Sequence, residues 1–240
     1  MTYHWQAALA FVASLSALTW MGRLLAFRIP ALREMRELNR AADRDKLRHE
    51  RFRAAVERSK RAGLWTNLAC DVAVLPFCVD LAPRPIGRQL VDILLVLMIF
   101  DFFYYWTHRS LFHGRALRRI HALHHRAHTP THIDAFYVHP LETAIGLLLF
   151  LGSIPLVAAL RGAPLNAFSM AVATLIFTQW NTINHTFVHL PRFPFRTLDR
   201  ITSLHAAHHV DMNRGNYATL TMLYDRLFGT LERPVHRTTP

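Results

Sequence analysis

Ten histidines in two matching series constrain this chain more than any other feature, because a fold has to gather them. His108 and His113 (H-x4-H) precede His121, His124 and His125 (H-x2-H-H); His185 and His189 (H-x3-H) precede His205, His208 and His209, again H-x2-H-H. With 16 histidines in 240 residues, H-x2-H-H should arise by chance roughly 0.07 times, so two copies behind matching pairs signal more than a solvated basic surface.

On a helix, residues three and four apart share a face. His121, His124 and His125 therefore converge, as do His185 with His189 and His205 with His208 and His209. His108 and His113 are five apart, roughly 140° around an ideal helix, and need a helix end or a partner element to meet. Neutral imidazole is the commonest protein ligand for zinc, copper, iron and nickel. Ten exceed what one ion can use, so the expectation is two metals.

The sequence around these words is apolar and basic. Apolar residues make up 52%, with 16 Phe, yet the formal net charge is +12 and the pI about 10.9. Long uncharged runs joined by basic loops mark a membrane protein. Nucleic acid is excluded as a partner, since neither an RNA-binding sheet nor a helix-turn-helix pattern is present. Residues 5–27 carry one charge, Arg23, and are long enough to cross a bilayer. Arg23 and Arg28 follow the apolar core, the reverse of a cleaved signal peptide, so the reading is a retained membrane helix whose C-terminal end is cytoplasmic. Residues 28–61 are the most charged part, with a broken apolar stripe of Leu32, Met35, Leu38, Leu47, Phe52 and Val56. They read either as a helix on anionic headgroups or as a solvated charged helix.

Residues 64–81 and 90–106 form one apolar hairpin around A-P-R-P-I-G-R-Q, and 143–160 and 166–183 a second around R-G-A-P. Two returning hairpins leave every histidine word on the side of residues 28–61. The nearby arginines, among them Arg109, Arg115, Arg118, Arg119, Arg126 and Arg200, put that side in the cytoplasm. Each half is thus a membrane hairpin, a histidine pair at its emerging end and an H-x2-H-H word beyond. The expected fold is all-α: an integral membrane protein of four to five membrane helices, two of the hairpin kind, with a cytosolic helical cap holding a histidine-rich dimetal centre. Residues 1–63 form an N-terminal membrane helix and basic cytoplasmic segment; residues 64–240 form a single catalytic domain of hairpins and cap.

Four further residues are candidates for orienting ligand imidazoles. Asp101 lies seven residues before His108, on nearly the same helical face; His128 extends the stripe of His121, His124 and His125; His139 precedes Pro140; and Glu142 could accept a hydrogen bond from a ligand. Asp101 also has a plainer reading as a headgroup-level polar residue, and His128 as a solvated side chain. Asp225 reads as pinning the C-terminal segment to the cap. Cys70 and Cys78, the only cysteines, lack the spacing of a zinc, iron–sulfur or haem motif.

The words H-R-S-L-F-H, H-A-L-H-H, V-H-P-L-E (138–142), N-H-T-F-V-H (184–189), H-A-A-H-H, G-N-Y (215–217) and Y-D-R-L-F-G-T (224–230) resemble the fatty acid hydroxylase superfamily, over roughly residues 65–231. That superfamily includes sterol desaturases, sterol methyl oxidases, sphingolipid hydroxylases and alkylglycerol monooxygenase. The resemblance implies a helical membrane fold capped by a cytosolic di-iron centre, with all ten histidines as ligands, that uses O2 and external electrons to hydroxylate or desaturate a lipid. Ala218 stands where many relatives have Gly, and Tyr224 where Trp is common; neither change removes an imidazole.

The chemistry stands beside the resemblance. Breaking an unactivated C–H bond needs a redox metal with O2, which side chains cannot replace. Zinc suits the same imidazoles but has no redox chemistry, and the residues alone leave the metal open. A zinc-dependent membrane hydrolase is the alternative, although none of the words contains the carboxylate base of H-E-x-x-H; a non-catalytic metal-binding membrane protein is a third. An oxygenase would dock a separate reductant, a ferredoxin or a cytochrome b5-like protein, since the chain shows no G-x-G-x-x-G fingerprint and no cysteine set for a cluster.

Overall fold

Prolines and glycines set several of the helix boundaries in the computed structural model, which describes residues 2–240. α1 (Trp5–Ala26) is followed by α2 (Pro30–Arg48), which opens on Pro30, where a missing N–H costs nothing. Only His49, in extended conformation, separates α2 from α3 (Glu50–Ala73). After the short α4 (Leu75–Cys78), α5 (Ile86–Thr107) starts behind Pro85 and runs into a π-helical turn, His108–Phe112. The cap segment that follows holds α6 (Arg118–His121) and two 3₁₀ turns, His124–Arg126 and His132–Phe136. α7 (Pro140–Arg161) begins on Pro140 and ends at Gly162, whose φ of 65° suits a residue without Cβ. α8 (Ala167–His185) is capped by the Asn166 side chain, which accepts from the Ser169 N–H at 3.1 Å. α9 (Arg196–Val210) and α10 (Leu223–Leu227) complete the cap.

α5, α7 and α8 form the centre, with α1 packed on α8 and α3 on α7. One aromatic ring from each central helix meets the others: Phe150 stacks on Phe177 at 4.1 Å between centroids, and Phe100 sits edge-on to both, at 5.7 and 4.8 Å. Such rings bury large apolar area in preferred geometry, which makes this knot the anchor of the bundle. The end of the bundle away from the histidines is closed by polar ties. β1 (Val79–Asp80) pairs in parallel with β2 (Leu165–Asn166), Arg84 reaches Asp80 at 2.6 Å, and Arg161 reaches Asp92 at 2.8 Å.

The outward faces of the bundle are apolar. Trp5, Leu9, Trp20 and Leu25 on α1, Leu64, Trp65 and Val72 on α3, Leu90 and Leu94 on α5, and Leu148 and Leu160 on α7 are all exposed. Among the described residues two helices, α1 and α7, are long and apolar enough to cross a membrane. The charged first half of α3 and the acidic or amide residues of α5 and α8 keep those helices from reading as cleanly. The expected division after residue 63 falls inside α3, which runs unbroken through it. Within residues 28–61, α2 turns Met35, Asn39 and Asp43 inward onto the cap and leaves most of its arginines exposed.

Candidate metal centre

The two members of the first histidine pair meet because the helix changes its winding between them. On the π-helical turn the His113 N–H donates to the His108 carbonyl at 3.0 Å, so residues five apart become neighbours, as an i→i+5 turn requires. Their ring centroids lie 4.9 Å apart.

Nine of the ten histidines gather into two buried groups. His108, His113, His121, His125 and His208 form one; His124, His185, His205 and His209 form the other; within each, the ligand atoms all lie within 4.8 Å of one another. The two groups do not follow the two series in the sequence. In each H-x2-H-H word the first and last members, one helical turn apart, serve the site of their own half. The middle members, His124 and His208, point away from that face and cross to the other site. The words are interlocked, and neither half could complete a site alone.

His189 lies outside both groups. α8 ends at His185, and the chain beyond Thr186 is non-helical, so the four-residue spacing no longer means a shared face. The His189 side chain is exposed, and its backbone N–H is directed at Met35 Sδ.

The proton positions test whether these groups suit a cation. In the first group, Nδ1 of His108, His113 and His208 contacts a backbone carbonyl, of Tyr217 (2.7 Å), Met212 (2.6 Å) and Gly215 (2.8 Å), and Nδ1 of His121 contacts Glu142 Oε1 at 2.8 Å. A carbonyl or carboxylate oxygen can only accept, so each Nδ1 carries the hydrogen and each Nε2 is a bare lone pair. Yet those Nε2 atoms face one another: His108–His121 at 3.1 Å, His113–His121 at 3.1 Å and His108–His113 at 3.3 Å. The second group repeats the pattern. His124 and His185 donate from Nδ1 to the Tyr137 and Asn181 carbonyls, while the Nε2 atoms of His185–His124 and His205–His185 are each 2.9 Å apart. Converging lone pairs with no proton between them repel, and a cation at the focus of each group removes the conflict. Imidazole nitrogen fits zinc, iron, copper or nickel.

Burial keeps these rings neutral, the state a metal ligand needs. It pushes His113 down to about 4, aided by neighbouring His121, and His121 to about 3. His124 falls to about 3 by burial and then by His185, and His205, His208 and His209 fall well below the ordinary histidine range for the same reasons.

Of the four orienting candidates, Glu142 is placed to do that work, with His121 as its partner. Asp101 is not: its carboxylate accepts from the Thr219, Leu220 and Thr221 N–H groups at 3.1, 2.9 and 3.2 Å, and from the Thr221 hydroxyl. His108, two α-helical turns further along and at the start of the π-helical turn, takes its Nδ1 partner from the Tyr217 carbonyl instead. His128 is exposed beyond the 3₁₀ turn, and His139 is an exposed helix cap whose Nδ1 accepts from the Leu141 N–H at 3.2 Å. Asp225 does pin the C-terminal segment, accepting from the Tyr217 and Ala218 N–H groups, both at 2.8 Å.

A profile of the fatty acid hydroxylase family matches residues 93–230, more than half the chain, and spans both histidine groups. The chain belongs to the fatty acid hydroxylase family. Among its curated relatives, Methylsterol monooxygenase 1 of Rattus norvegicus is 33% identical over 137 residues, 55% of this chain and 44% of the relative. Very-long-chain aldehyde decarbonylase GL1-11 of Oryza sativa subsp. indica is 32% identical over 153 residues, 62% of this chain and 55% of that protein. Fatty acid hydroxylase domain-containing protein 2 of Homo sapiens is 32% identical over 142 residues, 59% of this chain and 38% of that one. The matches thus span little more than half the length of these relatives at most. No solved structure matches.

Two parts of this fatty acid hydroxylase site were not legible as functional residues. Backbone carbonyls of Tyr217, Met212 and Gly215 orient three imidazoles, and the Gly215-Asn216-Tyr217 word shows why its residues are needed. A Cβ on Gly215 would lie 1.8 Å from the Thr230 carbonyl oxygen, and Asn216 takes a left-handed φ of 62°. The second part is Asn39 of α2, outside the family match. Its amide donates to the Phe187 carbonyl at 2.8 Å, and its oxygen accepts from the Phe187 and His132 N–H groups at 2.9 and 3.2 Å. It clamps the segments following both His185 and His125. Asp43 joins it by accepting from the Thr131 hydroxyl at 2.7 Å.

Above the histidines lies a cavity of about 520 Å³ between α1, α3, α5, α7 and α8. His108, His124, His185 and His205 form its floor, and Leu15, Phe100, Leu147 and Phe177 are among its apolar walls.

Proposed function

We propose that this protein is an O2-dependent di-iron lipid hydroxylase or desaturase of the membrane, acting on a lipid of fatty acyl, sterol, sphingolipid or alkylglycerol type. The observation that carries this reading is the cavity: a partly apolar chamber of lipid-binding size whose floor is made of imidazoles from both converging groups. The relatives named for methylsterol oxidation and very-long-chain aldehyde decarbonylation support a lipid substrate.

Iron, when bound by the nine gathered histidines, would supply the O2-activating redox chemistry that no side chain has. The protein's own part is positional. Carbonyl acceptors fix the tautomer and tilt of each imidazole, Glu142 holds His121, and the walls of α5, α7 and α8 exclude water and align an apolar chain over the floor. Zinc could be held by the same donors but could not change oxidation state.

The membrane reading rests on the apolar outer faces of the bundle and extends to four or five crossing helices, with the histidine cap cytoplasmic. On that side exposed Arg115, Arg119 and Arg126 offer charge complementary to an acidic electron donor of ferredoxin or cytochrome b5 type. Cysteines introduced near Arg44, Arg118 and Arg200 should then label from the cytoplasm, and those near Arg84 and Gly162 from the other side.

The decisive experiment combines iron-loaded protein, O2, an NAD(P)H-linked reductant and extracted lipids, followed by mass analysis. A product heavier by one oxygen or lighter by two hydrogens is expected. Lipid conversion that persists under strict anaerobiosis without reductant would remove the oxygenase reading and favour a zinc hydrolase.

A further inference from the structure

We propose that the lipid bound in this cavity ends in an anion of the carboxylate class, held between Arg23 and Lys60 at the imidazole end of the chamber. The proposal rests on the lipid reading of the same cavity and narrows it. Both side chains line the chamber, and among the described residues neither forms an ion pair or a side-chain hydrogen bond. The carboxylates of this region have other partners. Asp43 is bonded to Thr131, Asp134 to Lys46, and Glu142 to His121.

Helix geometry places the two cations on the same chamber. Leu15, Thr19 and Arg23 are four apart on α1, and Lys60, Leu64 and Asn67 follow four- and three-residue steps on α3; each set forms one lining stripe. α1 and α3 run antiparallel, with the His4 N–H donating to the Pro76 carbonyl at 2.8 Å beside the far ends of both helices, so Arg23 near the end of α1 and Lys60 in the first half of α3 both line the chamber toward its imidazole end. The apolar wall then continues away from them along Leu15, Phe100 and Leu147. A chamber that grades from cationic to apolar orients a single-chain anion and gives a neutral lipid no use for the two charges.

Arginines and lysines at a membrane surface commonly reach for headgroups instead. Lys60 does not: its ammonium lies 4.9 Å from the centroid of the Phe136 ring, and Phe136 is itself part of the cavity wall. Arg28 and Arg61 lie near Arg23 and Lys60 in sequence, are exposed, and do not line the chamber, which makes them the internal control.

The test is equilibrium binding of a fluorescent polyene fatty acid, cis-parinaric acid, and of its methyl ester, to the full chain in a non-ionic detergent. The acid should bind the wild type at least tenfold more tightly than the ester. Arg23→Gln with Lys60→Gln should remove that advantage and leave ester binding unchanged, whereas Arg28→Gln with Arg61→Gln should retain it. Because all four side chains are exposed, folding is not at stake, and circular dichroism verifies it. Equal binding of acid and ester by the wild type, or an equal loss in the control pair, would overturn the proposal. Binding requires neither O2 nor turnover, so acid selectivity in a protein that shows no oxygen-dependent reaction would sink the oxygenase reading alone.

Discussion

The His121 imidazole donates from Nδ1 to Glu142 Oε1 over 2.8 Å, and both groups are buried. This bond ties the first H-x2-H-H word to the first turn of α7, and among the described residues it is the one carboxylate contact made by any of the nine gathered rings. Glu142→Ala should weaken metal binding at the five-histidine group by about 10- to 100-fold, the usual cost of losing such a partner. Glu142→Gln, which keeps an acceptor, should lose less. Competition with a chromophoric chelator measures both, and equal losses in the two variants would show that the charge matters more than the hydrogen bond.

The interlocked words lead to a metal-content prediction. His124→Ala and His208→Ala should each lower bound metal from about two ions per chain, the number implied by two donor groups, with loss of activity. His189→Ala should retain both ions. Elemental analysis distinguishes this from a ten-ligand centre, in which His189→Ala would lose metal as the others do.

Asn39 offers a stability test far from the metal in sequence. Asn39→Ala strands the buried Phe187 N–H and carbonyl, and should cost about 1–3 kcal/mol. Hydrogen exchange should rise at residues 186–190 and 131–133 first, because the amide joins those two segments. Uniform exchange across the bundle would contradict a local clamp.

Acid should destabilise the metal-free protein. His113, near 4 in the fold, and His121 and His124, near 3, lie below the ordinary histidine value of 6.5. The unfolded chain therefore binds more protons between those limits, and stability rises with pH there. The contribution is fully present above about pH 6.5 and is lost as pH falls through 4 toward 3. Denaturant midpoints of chelator-treated protein should drop steadily over that window, and a flat profile would mean that the rings are not held neutral.

Much of the centre was legible in the chain because histidine spacing and helical periodicity are local. His121 with His125, and His205 with His209, are one turn apart and meet as their spacing requires. Even the awkward five-residue step from His108 to His113 announced that an ordinary helix would not serve, although not that a π-turn would. The alternation of apolar runs with proline- and glycine-bearing turns likewise marked the boundaries of α5, α7 and α8, since those residues act on their own backbone.

What tertiary structure alone decided are the relationships between distant segments. Periodicity puts His124 and His208 on a face but cannot say that each crosses to the other half's site, because that depends on how the two words dock. It gives His185 and His189 one spacing, yet α8 ends between them, and only the docked α2, through Asn39 on the Phe187 backbone and Met35 beside the His189 N–H, shows the path the chain takes instead. Asp101 shares a nominal face with His108, but three backbone N–H groups more than a hundred residues away claim its carboxylate. Residue type and spacing determine which groups can bind metal; the partners that fix their protons and direction come from long-range packing, which no local pattern encodes.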